Sequence, residues 1–224
     1  MKNLNQYIDQ TLLKPEATEA EIRAFLEGVK KYDFYAVFLH PCWVELARKE
    51  LPEGSRIGSV VGFPLGASSM KAKAFAAEDL VKMGCAEIDM VMNIGRMKSG
   101  DHKYVGRDIK GVVSAAAGQV VKVIIETCLL TDDEKISACR IVKESGARFV
   151  KTSTGFSKDG ARIDDVRRIR AAVGPDFGVK ASGGIRDYAA TLKFLEAGAN
   201  RIGTSAGVSI MEEYLKRSAQ STLR

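Results

Sequence analysis

The sequence predicts an α/β fold, a (β/α)8 TIM barrel, as a single domain over residues 1–224 with a short N-terminal extension. Three observations point there. Short apolar runs of strand length alternate with amphipathic stretches of helix length eight times along the chain, and such alternation builds a parallel sheet with helices outside it. The 224 residues, 46% hydrophobic and 28% charged, suit one domain with a full core. Helix-closing glycines recur ahead of strands, in Gly84-Cys85-Ala86, Gly146-Ala147-Arg148 and Gly198-Ala199-Asn200. The same distance past each glycine falls on Asp89, Lys151 and Gly203, which equivalent units would set at matching heights. Helix-to-strand turns favour glycine anyway, which accounts for the glycines but not for the chemistry that follows them. A doubly wound open sheet is the other arrangement of this class, yet no strand here is followed by a G-x-G-x-x-G that opens a helix.

Ile8-Asp9-Gln10-Thr11-Leu12-Leu13 reads as the first strand, stopped by Lys14-Pro15. Thr18-x-x-Glu21 is a capping box, and its helix gathers Ile22, Phe25, Leu26 and Val29 on one face. Ala36-Val37-Phe38-Leu39 is the second strand. Pro41 starts a helix through Val44, Leu46 and Ala47 that Leu51-Pro52 ends. Ile57-Gly58-Ser59-Val60-Val61 is the third strand, followed by the turn Gly62-Phe63-Pro64-Leu65-Gly66 and a helix over about 69–83 closed by Gly84. Ile88-Asp89-Met90-Val91-Met92 is the fourth, with a helix over about 101–117 after Gly100. Residues 120–125 form the fifth and end at Glu126-Thr127. Thr131-x-x-Glu134 is a second capping box, whose helix stops at Gly146. Phe149-Val150-Lys151 is the sixth strand, with a helix over about 164–173. Gly178-Val179-Lys180 is the seventh, with a helix over about 187–197. A short strand, Asn200-Arg201-Ile202-Gly203, and a helix around 210–216 close the chain.

The sixth and seventh strands carry the same motif. Val150-Lys151-Thr152-Ser153-Thr154-Gly155 and Val179-Lys180-Ala181-Ser182-Gly183-Gly184 both read Val-Lys-x-Ser-x-Gly. A lysine at a strand end before a small-residue loop can aim its amine into a pocket. Adjacent strands lie ~4.8 Å apart. Two ammonium groups ~5 Å apart repel by roughly 3 kcal/mol at an effective dielectric of ~20, enough to bring a lysine from ~10.4 to about 8. A neutral amine attacks carbonyl carbon and forms a Schiff base. The bland alternative is that both amines reach water or pair with carboxylates. The residues alone leave open which lysine is the nucleophile.

Composition excludes several classes. No apolar run is long enough to span a bilayer, and the start Met1-Lys2-Asn3-Leu4-Asn5-Gln6 has no hydrophobic signal region. Cys42, Cys85, Cys128 and Cys139 lack CxxC spacing and read as reduced thiols of a cytoplasmic protein. With His40 and His102 the only histidines, a metal mechanism has few ligands to draw on, although carboxylates alone could hold magnesium. The formal charge is +6, but its best clusters, Lys30-Lys31 and Arg167-Arg168-Ile169-Arg170, carry no interleaved aromatics. That argues against a nucleic-acid partner and suits a small phosphorylated substrate.

Barrel sites lie at the C-terminal strand ends. Alternation along the strands turns Ile88, Met90, Met92, Val121, Val123, Ile125, Val150 and Val179 toward the helices. It turns Asp89, Lys122, Glu126, Lys151 and Lys180 toward the mouth. Asp89, Lys122 and Glu126 have a second reading as a self-neutralising ion network, since buried charges need partners. Phosphate often binds at the loops after the seventh and eighth strands. Here those are Ser182-Gly183-Gly184 and Gly203-Thr204-Ser205-Ala206-Gly207, where glycine N–H groups can approach an anion and the hydroxyls of Thr204 and Ser205 can donate.

Seven stretches run nearly end to end in one family's order: Ile8 to Pro15, Val61 to Gly66, Glu87 to Gly95, Ile125 to Thr131, Val150 to Phe156, Val179 to Ile185 and Arg201 to Gly207. On these the chain resembles the 2-deoxyribose-5-phosphate aldolases, Schiff-base aldolases of (β/α)8 fold. The resemblance implies reversible cleavage of 2-deoxy-D-ribose 5-phosphate to D-glyceraldehyde 3-phosphate and acetaldehyde, a step of deoxyribose phosphate catabolism. It implies Lys151 as the imine-forming residue, with no cofactor. Lys180 would depress the pKa of Lys151 and, with Asp89, shuttle protons. Gly155, Gly183, Gly184, Gly203, Thr204 and Ser205 would bind phosphate. Asp9, Thr11, Lys122 and Glu126 would support the site. A homo-oligomer, dimer or larger, is implied too. The chain departs from the family's usual pattern at Gln10, at Phe38-Leu39-His40, at Ser69-Met70, at Phe156 and in ending Ser221-Thr222-Leu223-Arg224, where some members end in tyrosine. Tyr214 lies on a helix instead. None of these positions is Asp89, Lys151 or Lys180, so they bear on efficiency and aldehyde preference rather than reaction class. The rivals are another Schiff-base sugar-phosphate aldolase on the same barrel and a non-catalytic phosphate-ligand binder.

Overall fold

The structure, a computed structural model, describes residues 3–222. Met1, Lys2, Leu223 and Arg224 lie outside the described residues, and with them the first residues read for a signal region and the last two read for a tyrosine. Eight parallel strands close into a barrel in chain order. They are β1 (Ile8–Leu12), β2 (Ala36–Leu39), β3 (Ile57–Val61), β4 (Glu87–Val91), β5 (Val120–Ile124), β6 (Phe149–Lys151), β7 (Gly178–Ser182) and β8 (Arg201–Thr204), and β8 pairs with β1 to complete the circle. The N-terminal extension is a 3-10 turn, Leu4–Tyr7, with Leu4 buried.

The helices stand outside this wall: α1 (Glu19–Tyr32), α2 (Val44–Glu50), α3 (Met70–Lys82), α4 (Ile94–Lys98), α5 (His102–Ala115), α6 (Asp132–Glu144), α7 (Ile163–Val173), α8 (Tyr188–Glu196) and α9 (Gly207–Thr222). Their starts are written locally. Thr18 and Thr131 form capping boxes with Glu21 and Glu134. Ser69, Asn93, Asp101 and Asp187 accept from the N–H three residues on and satisfy an otherwise open donor. The core lies between strands and helices, where Ile88, Met90, Met92, Val121, Val123, Ile125, Val150 and Val179 pack as alternation predicts. Ile124 is buried but outside that layer, inside the barrel.

Local differences from the sequence reading have local causes. Pro41 opens a 3-10 turn, Pro41–Trp43, before α2 begins. The final helix is longer than expected because it starts directly at the loop after β8. Strand β5 stops at Ile124, so Glu126 is not a strand residue. It adopts a left-handed conformation, φ 52°, where the chain turns toward α6. The basic run of α7 is occupied: Arg167 and Arg168 pair with Asp164, Asp132 and Asp165, and Arg170 donates to the carbonyls of Gly174, Phe177 and Gly198.

Candidate active site

The register puts the two motif lysines side by side. Lys151 is the cross-strand partner of Lys180, and Lys180 is that of Arg201. The hydroxyls of the two motifs join their loops. Thr152 Oγ1 donates to Ser182 O at 3.1 Å, Ser182 N–H returns to Thr152 Oγ1 at 3.1 Å, and Ser182 Oγ donates to Ser153 O at 2.6 Å. The glycines let the loops touch backbone to backbone. A Cβ on Gly183, which sits at φ +92°, would come within 2.9 Å of Gly160 Cα.

Beneath the mouth lies a connected set of seven charges. Asp89 Oδ2 is 2.8 Å from Lys151 Nζ and 2.8 Å from Lys180 Nζ, and Asp89 Oδ1 is 2.9 Å from Lys122 Nζ. Lys180 Nζ also lies 2.5 Å from Asp9 Oδ2, and Lys122 Nζ lies 2.5 Å from Glu87 Oε2. Arg201 completes the set, 2.8 Å from Asp9 and 3.6 Å from Glu87. The Phe38 ring lies under two of the amines, 3.8 Å from Lys180 Nζ and 4.3 Å from Lys122 Nζ. It fills the space that Gly58 leaves, where a Cβ would meet the ring at 2.3 Å.

The environment separates the two lysines that sequence could not rank. Lys180 has two carboxylate partners and a side chain 0% exposed. Among the described residues Lys151 has one carboxylate partner; it is 4% exposed and lines a mouth cavity of about 310 Å³. Burial brings the Lys151 amine down to about 8, Asp89 works against that, and Lys180 and Lys122 add to it. Lysine–lysine repulsion alone, across neighbouring strands, would account for a similar value. Here burial is the larger cause, and repulsion partly cancels the pull of Asp89. Burial would raise the Asp89 carboxyl, but Lys122, Lys151 and Lys180 outweigh it and hold it well below the usual carboxylate range. Asp9 is lowered in the same way, by Lys180, Lys122 and Arg201 against burial.

The cavity is lined by Thr11, Gly155, Gly183, Gly184, Gly203, Thr204 and Ser205 as well as Lys151. Asp9 and Lys122 lie beneath it, fully buried. Thr204 does not present a free hydroxyl as expected. Its Oγ1 donates to Ile185 O at 2.6 Å and accepts from Ala206 N at 2.9 Å, so the loop's own fold consumes it. Gly203 has a spatial job, since a Cβ there would lie 2.9 Å from Lys180 Cε. Glu126 stands apart from the ion set. Thr154 N–H and Oγ1 donate to it, and burial raises its carboxyl despite those bonds and the charge of Lys151.

A family model described as DeoC/LacD family aldolase matches residues 4–213. The chain belongs to this aldolase family. A deoxyribose-phosphate aldolase of Streptococcus sanguinis (strain SK36) is 54% identical over 211 residues, 93% of this chain and 96% of the relative. One from Enterococcus faecalis (strain ATCC 700802 / V583) is 53% identical over 210 residues, again 93% and 96%. Among solved structures, one described as QR15, an aldolase, aligns with a TM-score of 0.94 at 39% identity over 98% of this chain and 99% of that one. A deoxyribose phosphate aldolase from Aeropyrum pernix, described as a unique tetrameric structure, aligns at 0.84 with 35% identity over 93% and 89%.

Within this aldolase, Lys14, Glu87, Arg186 and Arg201 are site residues that the sequence does not single out, while Gln10 and Phe156 stand where the chain departs from the family pattern. Lys14 and Arg186 line the mouth and supply positive charge beside the glycine loops. Arg186 directly follows a motif, and its charge beside two glycines was the available signal. Glu87 and Arg201 sit inside quoted motifs, but at strand starts, away from the end where barrel chemistry is sought. Gln10 ties β1 to the last loop: Gly207 N–H donates to its Oε1 at 2.9 Å, and its Nε2 donates to Ser205 O at 3.3 Å. Phe156, 49% exposed, packs edge-on against Phe63 with ring centroids 5.2 Å apart and forms an apolar rim. Among the described residues, no helix is long and apolar enough to cross a membrane, and no group of three His, Cys, Asp or Glu side chains is placed to hold a metal.

Proposed function

We propose that this aldolase reversibly cleaves 2-deoxy-D-ribose 5-phosphate to D-glyceraldehyde 3-phosphate and acetaldehyde, through an imine on Lys151. The observation that carries the reading is the Lys151 amine, lowered to about 8 by burial, open to the mouth cavity and 2.8 Å from a carboxylate shared with Lys180. Relatives above 50% identity are named for this reaction.

The neutral Lys151 amine adds to the C1 aldehyde of the open-chain sugar, and loss of water leaves a protonated imine. That cation draws electrons from the C2–C3 bond. As the C3 hydroxyl gives up its proton, the bond breaks, the C3 aldehyde departs and an enamine of acetaldehyde stays on Lys151. Protonation at C2 and hydrolysis of the imine free acetaldehyde and the amine. Asp89, held between Lys151 and Lys180, relays protons for these steps, directly or through a water; such help is worth ~10²–10⁴-fold. Thr11, Lys122, Asp9 and Glu126 hold the surrounding geometry. Gly155, Gly183, Gly184, Gly203 and Thr204 line the cavity where the phosphate would sit, with Ser205 and the charges of Lys14 and Arg186 beside them. No cofactor or metal enters these steps.

We place the protein in the cytoplasm as one barrel domain over 1–224. Its four cysteines are free, and burial pushes Cys85 and Cys139 up to about 12, out of reach of easy oxidation. We expect no nucleic-acid partner, because the α7 arginines already have partners. We infer a dimer or larger assembly, and sedimentation tests it. The deciding experiment for function is borohydride reduction in the presence of acetaldehyde, followed by peptide mass spectrometry. An ethyl group on Lys151 is expected. An adduct elsewhere, or none, overturns the reading. Pyruvate or dihydroxyacetone serving as donor in place of acetaldehyde would identify a different aldolase.

A further inference from the structure

Two of the charges buried in the barrel stand at the strand ends farthest from the mouth cavity. Glu87 opens β4 and Arg201 opens β8, at the strand ends away from the mouth. The Arg201 guanidinium lies 3.3 Å from the Tyr35 ring centroid and 5.7 Å from that of Phe149, while Arg56 covers Tyr35 at 4.4 Å. Its Nε is buried and has no hydrogen-bond partner among the described residues. Apolar side chains of similar volume close such a space with equal or greater stability, so buried ion pairs are poor evidence of a stabilising role. Their effect on the other charges is a better account. Among the described residues four cations, Lys122, Lys151, Lys180 and Arg201, are ion-paired with three carboxylates, Asp9, Glu87 and Asp89. The count balances when Lys151 is neutral.

We propose that Arg201 and Glu87 are positioning residues that set the charge of Lys151 from the floor of the barrel, in opposite senses. Arg201 acts through Asp9 and Lys180. It occupies Asp9 Oδ1 and adds a fixed positive charge that disfavours another on Lys151. Glu87 acts through Lys122 and Asp89. It offsets the Lys122 ammonium at 2.5 Å and so limits the repulsion that reaches Lys151. Lys151 is faced directly by Asp89 from β4, Lys122 from β5, Glu126 from the turn after β5 and Lys180 from β7, with Lys14 and Arg186 on the open side. The sign of each floor residue's effect holds whichever way Glu126 is charged. The catalytic use of this charge setting rests on Lys151 being the reacting amine, whereas the charge setting itself does not.

The test reads Lys151 without using activity. Trace acetylation of the folded protein by acetic anhydride across a pH series, followed by peptide mass spectrometry, gives the midpoint at which Lys151 becomes reactive. Arg201→Met should raise that midpoint and Glu87→Gln should lower it. Each shift should be about one pH unit, the size expected for a unit charge roughly 10 Å away at an effective dielectric of ~20. Arg201→Lys keeps the charge and should leave the midpoint near the wild-type value. Unmoved midpoints, or shifts in one common direction as general loosening would give, overturn the proposal. Should Arg201→Met fail to fold, the near-isosteric Glu87→Gln decides by the sign of its shift. A wild-type protein that labels at Lys151 yet forms no borohydride adduct with acetaldehyde sinks the aldolase reading and leaves this one standing.

Discussion

Lys151 and Lys180 share a single oxygen of Asp89: each Nζ lies 2.8 Å from Oδ2. The shared oxygen draws the two amines together while their charges oppose each other. It also gives a proton a short path between them. Asp89 and Lys180 therefore act on Lys151 in opposite directions, and the two can be separated by substitution.

Lys180→Leu removes the ammonium that lowers Lys151. The Lys151 amine should rise above about 8, so less of it is neutral at pH 7. The acid limb of the kcat/KM profile should move up by about one to two pH units, the span given by repulsion across roughly 5–10 Å. A pH–rate profile that stays in place would show that Lys180 does not tune the nucleophile.

Asp89→Asn has the reverse electrostatic sign, because Asp89 raises Lys151. The variant's amine should be neutral at lower pH, yet under the proposed relay role turnover should fall ~10²–10⁴-fold. Three buried lysines lose a partner at once, which should cost about 3–5 kcal/mol of stability in urea unfolding. Full activity at low pH would mean that Asp89 does no proton work.

Arg186→Met tests the mouth charge. A charge-assisted bond to phosphate is worth about 1.5–3 kcal/mol, so KM for 2-deoxyribose 5-phosphate should rise roughly 10–100-fold. Cleavage of unphosphorylated 2-deoxyribose should be unaffected. Equal losses on both sugars would place Arg186 in a structural role.

The barrel was legible because its causes are local and repeated. The Thr18 and Thr131 capping boxes, the glycines at 84, 146 and 198, and the eightfold alternation each act within a few residues. The lysine pair was legible because one motif occurs twice at adjacent strand ends. What sequence could not rank were consequences of packing across the barrel. Whether Lys151 or Lys180 opens to the cavity depends on Asp9 reaching Lys180 from β1. Whether Thr204 offers its hydroxyl outward depends on the carbonyl of Ile185 lying beside it. Glu87 and Arg201 were hidden for the same reason, since each meets its partners only when distant strands close the circle.

The buried Lys151 amine should carry a stability cost with a defined pH window. Its folded value is about 8 against 10.5 for a free lysine. Between those values the unfolded chain binds the proton that the folded chain has released, so stability rises with pH across that window. Below about pH 8 the folded protein carries a buried ammonium, at a cost of about 3 kcal/mol. Lys151→Met removes that group. The variant should be more stable than wild type at pH 7, with the difference shrinking as pH rises toward 10.5. Urea unfolding of the pair at several pH values checks this, and a constant difference would contradict it.

Gly203 admits two roles that one substitution separates. As a phosphate contact, it would lend a backbone N–H to the anion. As a spacer, it leaves room for Lys180, because an added Cβ would lie 2.9 Å from Lys180 Cε and 3.0 Å from Ser182 Cβ. Lys180 cannot easily move aside, being held by Asp9, Asp89 and the Phe38 ring. Gly203→Ala keeps the N–H and adds only the methyl. Under the spacer role, kcat should fall and the acid limb should shift as Lys180 is displaced, with a stability loss of about 1–3 kcal/mol from overpacking. KM for the phosphorylated sugar should hardly change. A raised KM with kcat and pH profile intact would instead assign the glycine to the phosphate, and Lys180 would then keep its place by other means.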